Sequence, residues 1–143
     1  RNVFDIGLLA SRLTRAADWV REQRAVAGLP VALFGASTGA AAALVAASDP
    51  SREFAAVVSR GGRPDLAGER LAHVAAPTLL IVGGDDAVVI GLNRDAQRSL
   101  RCEHRLSIVP GATHLFEEPG TLESVADLAA AWFVAHCTAA GSS

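Results

Sequence analysis

The sequence predicts an α/β fold in which a parallel sheet of four strands is flanked by helices in three α/β/α layers. Short continuous apolar runs alternate along the chain with segments of helical periodicity. The apolar runs are rich in Val, Ile and Leu and contain no internal proline, which is typical of strands buried on both faces. This alternation favours a parallel sheet, because each helix can connect one strand to the next.

Four apolar runs are expected to form the strands. They are Val31–Phe34, Phe54–Val58, Thr78–Val82 and Leu106–Val109. One connection is long, the segment Ser59–Ala76, and we expect a single helical turn within it. This segment is too short to fold as a lid, so the sequence predicts a shallow binding site.

Four helices are expected around these strands. Asp5 can cap the first helix, and Gly28 and Pro30 are expected to end it. The others are predicted at Thr38–Ala47, at Asn93–Leu100 and from Thr121 onward. The last helix is amphipathic, with Trp132 and His136 on its apolar face.

The composition argues against several classes of function. The 143 residues include 13 arginines, no lysine and 15 acidic residues, for a formal net charge of −2. We therefore expect no binding to nucleic acid or to a membrane, and no apolar run approaches the roughly 20 residues that span a bilayer.

The chain begins at Arg1 and contains no methionine, which predicts a fragment or processed product. We expect one domain over residues 1–143 and a cytoplasmic location.

The cysteines and three of the histidines do not predict a metal site. Cys102 and Cys137 form neither a CxxC pair nor a spaced Cys/His set, so ordinary thiols are expected. His73, His104 and His136 stand at no metal-ligand or catalytic spacing. We expect these histidines to have surface or packing roles, and we expect neither a metal nor an organic cofactor.

The segment Gly35–Gly39 carries the first catalytic signal. It reads Gly-Ala-Ser-Thr-Gly between a predicted strand and a predicted helix, which is the setting of a G-x-S-x-G nucleophile turn. Such a turn exposes the Ser37 hydroxyl, and glycines two residues to either side prevent collisions between strand and helix. The N–H of Thr38, at the start of the helix, can bind a developing oxyanion.

Two other interpretations of this segment compete. The same residues resemble the glycine-rich turn of short-chain dehydrogenases, but Ala41 replaces the last glycine of that motif. The chain also lacks the Tyr and Lys residues that this family uses. A tight turn with a purely structural serine remains open on this motif alone.

An acid and a histidine follow in the order that such a hydrolase requires. Asp86 comes just after the third predicted strand and His114 just after the fourth. Because the carboxyl ends of parallel strands lie along one edge of a sheet, both side chains can converge on Ser37. His114 would take the serine proton, and the carboxylate would hold the imidazole in the required tautomer. Asp85 is the alternative acid.

With these three motifs, the chain resembles the C-terminal part of an α/β-hydrolase of the dienelactone hydrolase-like group. The turns Gly83–Asp86 and Gly111–His114 match the patterns G-x-x-D and G-x-x-H of that group. The resemblance covers nearly the whole chain. It implies that the four strands are the last four of a sheet ordered 1-2-4-3-5-6-7-8. Dienelactone hydrolase itself uses a cysteine nucleophile, so Ser37 favours ester chemistry.

The resemblance also implies that the chain lacks the N-terminal strands of the fold. The absent half normally supplies a second oxyanion donor, and without it the strand 31–34 becomes an apolar open edge. We expect an N-terminal segment or another chain to cover this edge. The stretch Gly111–Gly120 further resembles bacterial hydrolase domains fused to a phosphoribosyltransferase domain.

Two arginines are candidates for substrate binding. Arg60 and Arg63 follow the second predicted strand and are expected on the catalytic face, where they could bind a carboxylate or phosphate. The alternative is a solvated loop in which they pair with Asp65 or Glu69.

The sequence therefore predicts a serine hydrolase with Ser37, His114 and Asp86 as its catalytic residues. Its partner would be a small-molecule ester, lactone or thioester. The alternative is a non-catalytic or regulatory module with a hydrolase fold, for example beside a phosphoribosyltransferase domain.

Overall fold

Four parallel strands lie side by side in chain order at the centre of the protein. The computed structural model describes residues 5–26 and 28–137. The sheet order is β1-β2-β3-β4, and all three pairings are parallel. The strands are β1 (Ala32–Ala36), β2 (Ala56–Arg60), β3 (Thr78–Gly83) and β4 (His104–Val109). The predicted strands and their parallel arrangement are confirmed, with ends displaced by at most two residues.

Four α-helices surround the sheet. They are α1 (Ile6–Glu22), α2 (Thr38–Ala47), α3 (Ala87–Ser99) and α4 (Thr121–His136). Asp5 caps α1, because its carboxylate accepts a hydrogen bond from the Leu8 N–H at 2.9 Å. The segment Pro64–His73 in the long connection forms two short 3-10 helices joined at a kink at Gly68. The sequence predicted only one turn there.

Two predicted helix ends are wrong. α3 begins at Ala87, directly after the third strand turn, and not at Asn93. Its first turn is rich in β-branched residues, which have low intrinsic helix propensity, and the packing of buried Val89 outweighs this preference. α1 ends at Glu22, before Gly28, because the next residue turns to an extended backbone with ψ 128°.

Alternate strand residues pack against opposite helical layers. Val57 belongs to a core that it shares with Leu44 of α2 and with residues of α1 and α3. Val58 faces the other side, where Trp132 of α4 completes a second core. The expected three-layer α/β/α arrangement is therefore confirmed. α2 can lie close to the sheet because its alanines Ala40–Ala43 are small and at most 1 % exposed.

β1 forms one edge of the sheet in the described part of the chain. Within that part it pairs only with β2, and Phe34 is 48 % exposed. A groove of about 390 Å³ lies beside the strand, lined mainly by apolar side chains that include Leu9 and Leu13 of α1. An apolar edge of this kind favours pairing with a further strand. Which segment covers it stays a prediction.

The Glu118 side chain holds the connection between β4 and α4. Its carboxylate accepts hydrogen bonds from the Thr113 hydroxyl at 2.7 Å and from the Thr113 N–H at 3.0 Å. These bonds hold the pKa of the Glu118 carboxyl below its ordinary value of 4.5. The Glu118 carbonyl oxygen accepts a hydrogen bond from the Thr121 hydroxyl at 2.7 Å. One residue thus joins the turn after β4 to the start of α4.

We expect Glu118→Gln to lower the Tm of the protein at pH 7, because the neutral amide loses the charge-assisted hydrogen bonds. The pKa of Glu118 is lower in the folded than in the unfolded state. Its contribution to stability is therefore full above pH 4.5 and is lost as the pH falls through the folded pKa. Calorimetry should show that the Tm difference between wild type and variant shrinks below pH 4.5.

The control for this experiment is Glu117→Gln. Glu117 is exposed and makes no hydrogen bond or ion pair within residues 5–26 and 28–137. Its substitution should leave the Tm nearly unchanged at both ends of the pH range. If the Tm difference between wild type and Glu118→Gln does not shrink at low pH, the proposed role of the carboxylate is contradicted.

Candidate active site

Ser37 occupies a strained turn between β1 and α2. Its backbone has φ 52° and ψ −124°, a positive φ that residues with a side chain rarely adopt. Hydrogen bonds hold the turn on both sides, because the Ser37 N–H donates to the Arg60 carbonyl oxygen and the Ser37 carbonyl oxygen accepts from Ala40 N–H. The turn projects the hydroxyl from the carboxyl edge of the sheet.

The two glycines of the G-x-S-x-G segment differ in their roles. A Cβ on Gly35 would lie 2.4 Å from the carbonyl oxygen of Gly39, so no side chain fits at position 35. A Cβ on Gly39 would meet no described atom within 4 Å. The expectation that both glycines prevent a collision is therefore correct for Gly35 and wrong for Gly39. The Gly39 backbone itself lies against position 35, but a Cβ added at position 39 would enter open space.

A chain of two hydrogen bonds links Ser37, His114 and Asp86. The Ser37 Oγ lies 2.9 Å from His114 Nε2, and His114 Nδ1 lies 3.0 Å from Asp86 Oδ2. The Asp86 side chain is 16 % exposed and the His114 side chain 41 %. An ionised Asp86 favours the tautomer with the proton on Nδ1, which leaves Nε2 free to accept the serine proton.

The structure distinguishes the two candidate acids. Asp86 is the residue next to the N-terminus of α3, and its carboxylate faces His114. Asp85 is exposed, and its described bond to the histidine turn is a backbone one, from the Asp85 N–H to the Ala112 carbonyl oxygen at 2.9 Å. The geometry thus brings Asp86, and not Asp85, to the imidazole.

Thr38 is the first residue of α2. The first N–H groups of a helix have no acceptor within the helix, and they carry the positive end of the helix dipole. The Thr38 N–H, one peptide unit from the Ser37 side chain, therefore has the chemistry that an oxyanion requires.

The two candidate arginines have different surroundings. The Arg63 guanidinium binds Asp65 with two hydrogen bonds, of 3.0 Å from Nε and 2.8 Å from Nη2. This pairing raises the pKa of Arg63 and lowers that of Asp65. The Arg60 guanidinium lies over the Phe116 ring, 5.3 Å from its centroid, and makes no ion pair within the described residues. The alternative of pairing with Asp65 therefore holds for Arg63 only.

Three residues that support this site were not singled out from the sequence, namely Gly61, Gly62 and Asn93. Gly61, with φ 54°, lies against the His114 ring, where an added Cβ would be 3.4 Å from Nδ1. Asn93 is fully buried and donates a hydrogen bond to the Gly62 carbonyl oxygen at 3.1 Å. The glycine pair after β2 was the available signal for the first two. Asn93 had none, because it stands in a helix that looks polar and exposed.

The other histidines and the cysteines lie away from this site in the described residues. His104 Nδ1 lies 2.9 Å from the Cys102 carbonyl oxygen. The His136 ring packs against Trp132, with ring centroids 4.3 Å apart and ring planes inclined by 51°. Burial raises the pKa of the Cys102 and Cys137 thiols, which are not bonded to each other.

Within residues 5–26 and 28–137, no three His, Cys, Asp or Glu side chains come together in a way that could hold a metal ion. None of the helices in those ranges is long and apolar enough to cross a membrane.

Similar proteins are found among both sequences and structures. A Mycobacterium tuberculosis protein named as a phosphoribosyl transferase is 62 % identical over 142 residues, which are 99 % of this chain and 32 % of that protein. The crystal structure of a dienelactone hydrolase from Anabaena variabilis superposes with a TM-score of 0.92 at 57 % identity. That match covers 94 % of this chain and 62 % of the other. The chain thus spans about a third of its M. tuberculosis relative.

More distant structures share the fold. A monoacylglycerol lipase from Paleococcus ferrophilus has a TM-score of 0.72 at 17 % identity, over 89 % of this chain and 76 % of that one. The model of the dienelactone hydrolase family matches residues 6–136, almost the whole described part of the chain. The fold is that of the α/β-hydrolases, and the chain belongs to the dienelactone hydrolase family.

Proposed function

We propose that this chain carries the catalytic residues of a serine hydrolase that acts on a small ester, lactone or thioester. The observation that supports this most strongly is the hydrogen-bonded chain from Ser37 Oγ through His114 to Asp86 Oδ2. A purely structural serine would not need the strained φ of 52° that turns its hydroxyl toward an imidazole. Membership of the dienelactone hydrolase family agrees with a hydrolytic reaction.

The reaction would proceed by acyl transfer. Ser37 Oγ attacks the substrate carbonyl carbon while His114 Nε2 takes the hydroxyl proton, and the Thr38 N–H donates to the oxyanion that forms. The imidazolium gives the proton to the departing alcohol or thiol, which leaves an ester on Ser37. Water then attacks this ester while His114 takes a water proton. The proton passes to Ser37 Oγ as the acid departs.

The surroundings of the site favour a small or varied substrate. Two apolar side chains stand beside the catalytic residues in sequence and are well exposed, Val88 at 75 % and Leu115 at 59 %. Either could contact an acyl or alcohol group near Ser37. The connection from β2 to β3 forms only short 3-10 helices and no separate lid. The absence of a cysteine at position 37 favours esters over the lactone chemistry of a cysteine enzyme.

Arg60 would select substrates with an anionic group. It stands at the end of β2 opposite Ala36, the residue before the nucleophile, and its guanidinium has no acidic partner in the described residues. A carboxylate or phosphate on the substrate could therefore bind it with two parallel hydrogen bonds. Arg63 is the weaker candidate, since Asp65 already occupies its guanidinium.

A second segment would complete both the sheet and the oxyanion hole. Since β1 is an apolar edge, we infer that an N-terminal segment of the same polypeptide or another chain pairs with it. The second oxyanion donor would come from that segment. Losing one such donor typically costs about 10²–10³ in rate, so residues 1–143 alone would be a weak catalyst.

A regulatory role beside another domain is the second candidate function. It is favoured by the M. tuberculosis relative, which is named as a phosphoribosyl transferase and of which this chain matches only 32 %. In that case a phosphoribosyltransferase domain in the same polypeptide would be the partner. The hydrolase fold would then bind a ligand or regulate the partner without turning over an ester.

Substitution of the acid separates these candidates. In the full natural polypeptide, Asp86→Asn should lower kcat for p-nitrophenyl acetate by about 10⁴, because the imidazole loses its required tautomer. Ser37→Ala should remove measurable turnover. Asp85→Asn, an adjacent and exposed substitution, is the matched control and should change kcat by less than about threefold.

The rate of p-nitrophenol release by purified variants of equal Tm would measure these kcat values. Equal losses in Asp85→Asn and Asp86→Asn would contradict the assigned acid. A folded wild-type polypeptide without any turnover of small esters would favour the regulatory candidate.

Arg60→Ala tests the preference for anionic substrates. We expect kcat/KM for an ester with a free carboxylate, such as p-nitrophenyl succinate, to fall by about 10–100-fold more than for neutral p-nitrophenyl butyrate. The ratio between the two esters cancels any general effect of losing the contact with Phe116. Arg63→Ala is the control and should leave the ratio nearly unchanged. Equal losses on both esters in Arg60→Ala would refute the binding role.

A further inference from the structure

Asn93 has no part in the proposed mechanism, but it lies where α3 contacts the loop after β2. It lies on α3, about two turns after the Asp86 end of that helix, and its side chain is 0 % exposed. The two side-chain N–H groups are both used, because Nδ2 donates to the Val89 carbonyl oxygen at 2.8 Å and to the Gly62 carbonyl oxygen at 3.1 Å. The second bond joins the helix behind the acid to the loop after β2.

That loop touches the other two residues of the triad. Gly61 packs against the His114 imidazole, so an added Cβ would be 3.4 Å from Nδ1 and 3.5 Å from Cε1. The Arg63 N–H donates to the Ser37 carbonyl oxygen at 3.4 Å. A shift of the loop would therefore reach both the imidazole and the nucleophile turn.

The loop has little room to adjust by itself. A Cβ on Gly62 would lie 2.2 Å from Ser59 Oγ and 2.6 Å from the Cβ of Ala40, so the backbone is pressed against β2 and α2. Asn93 contacts this tight segment at the Gly62 carbonyl group. The position of the loop thus depends on α3 as well as on β2.

Stability alone does not explain an asparagine at this position. Its Oδ1 atom is buried and has no hydrogen-bond partner in the described chain, and an unpaired buried polar atom opposes folding. An apolar side chain of similar volume would remove the unpaired Oδ1, but it would leave the Gly62 carbonyl oxygen without its donor. The amide provides a directed hydrogen bond to the loop, which an apolar group cannot provide.

We propose that Asn93 is a positioning residue, which fixes the Gly61–Arg63 loop so that His114 is held between Asp86 and Ser37. The proposal rests on the proposed function for its effect on rate. Small displacements of reacting groups have large effects on rate, of about 10²-fold for 1 Å. Asn93 itself would touch neither substrate nor reacting atoms.

The test uses Asn93→Leu in the full natural polypeptide, with Thr78→Val as the matched control. Thr78 is equally buried but lies at the first position of β3, away from the loop, and its hydroxyl donates a hydrogen bond to the Ala76 carbonyl oxygen at 2.9 Å. With p-nitrophenyl acetate, well below the Tm of each variant, Asn93→Leu should lower kcat by about 10–100-fold and change KM by less than about twofold. Thr78→Val should leave both close to wild type.

A second measurement does not depend on turnover. The ring ¹⁵N shifts of His114, assigned by comparison with His114→Gln, report which nitrogen carries the proton in the neutral ring. The wild type and Thr78→Val should hold the Nδ1–H tautomer, whereas Asn93→Leu should give a mixture. If the wild type shows the tautomer but no esterase activity, the proposed function fails while the positioning role survives.

A folded Asn93→Leu protein with wild-type kcat and an unmixed tautomer would overturn the proposal, whatever its Tm. Asn93→Ser is the milder variant if the leucine is not accommodated, and the same results are expected of it. If neither variant folds, Asn93 is a residue required for folding and the positioning role is wrong.

Discussion

The candidate site depends on how closely backbone segments approach one another at the carboxyl edge of the sheet. β3 meets the histidine turn at Gly83, where an added Cβ would lie 2.3 Å from the Ala112 carbonyl oxygen. β1 meets α2 equally closely at Gly35. A side chain at either position would push the turn that carries His114, or the turn that carries Ser37, away from its neighbour. The two hydrogen bonds that link Ser37, His114 and Asp86 require both contacts at once.

This constraint also explains how a strained serine is maintained. A residue with a side chain at positive φ costs on the order of 1–3 kcal/mol, so the surrounding structure must hold it. The Ser37 N–H binds the end of β2, and its carbonyl oxygen accepts from α2 and from the loop after β2. Neighbouring elements thus fix the turn from both sides. In this turn the Ser37 Oγ lies 2.9 Å from His114 Nε2.

The strands and the placement of Ser37, Asp86 and His114 at one edge of the sheet could be predicted because each rests on a local pattern. Buried parallel strands are continuous apolar runs, and Gly35–Gly39, Asp86 and His114 each follow one of them. The start of α3 was missed because β-branched residues obscure its first turn. Gly39 was misjudged since the route of α2 past β1 cannot be read from residue types.

The supporting residues were invisible for a different reason. The Asn93 contact joins segments that are 31 residues apart in the sequence. The Glu118 contact lies within an irregular turn, so no periodicity marks either residue. Asn93 in particular stands among the charged residues of α3, where sequence patterns indicate an exposed face. Only the packing of α3 against the loop after β2 reveals that its amide is buried.

The central claim is that Ser37 is a nucleophile activated by His114. Reaction of the full natural polypeptide with a fluorophosphonate probe, followed by trypsin digestion and fragment mass spectrometry, tests it most directly. The account predicts one adduct per chain, on Ser37 within the peptide 25–52. Ser48 and Ser51 of the same peptide should remain unmodified. A well-folded protein that forms no adduct, or forms it on another residue, would contradict the account.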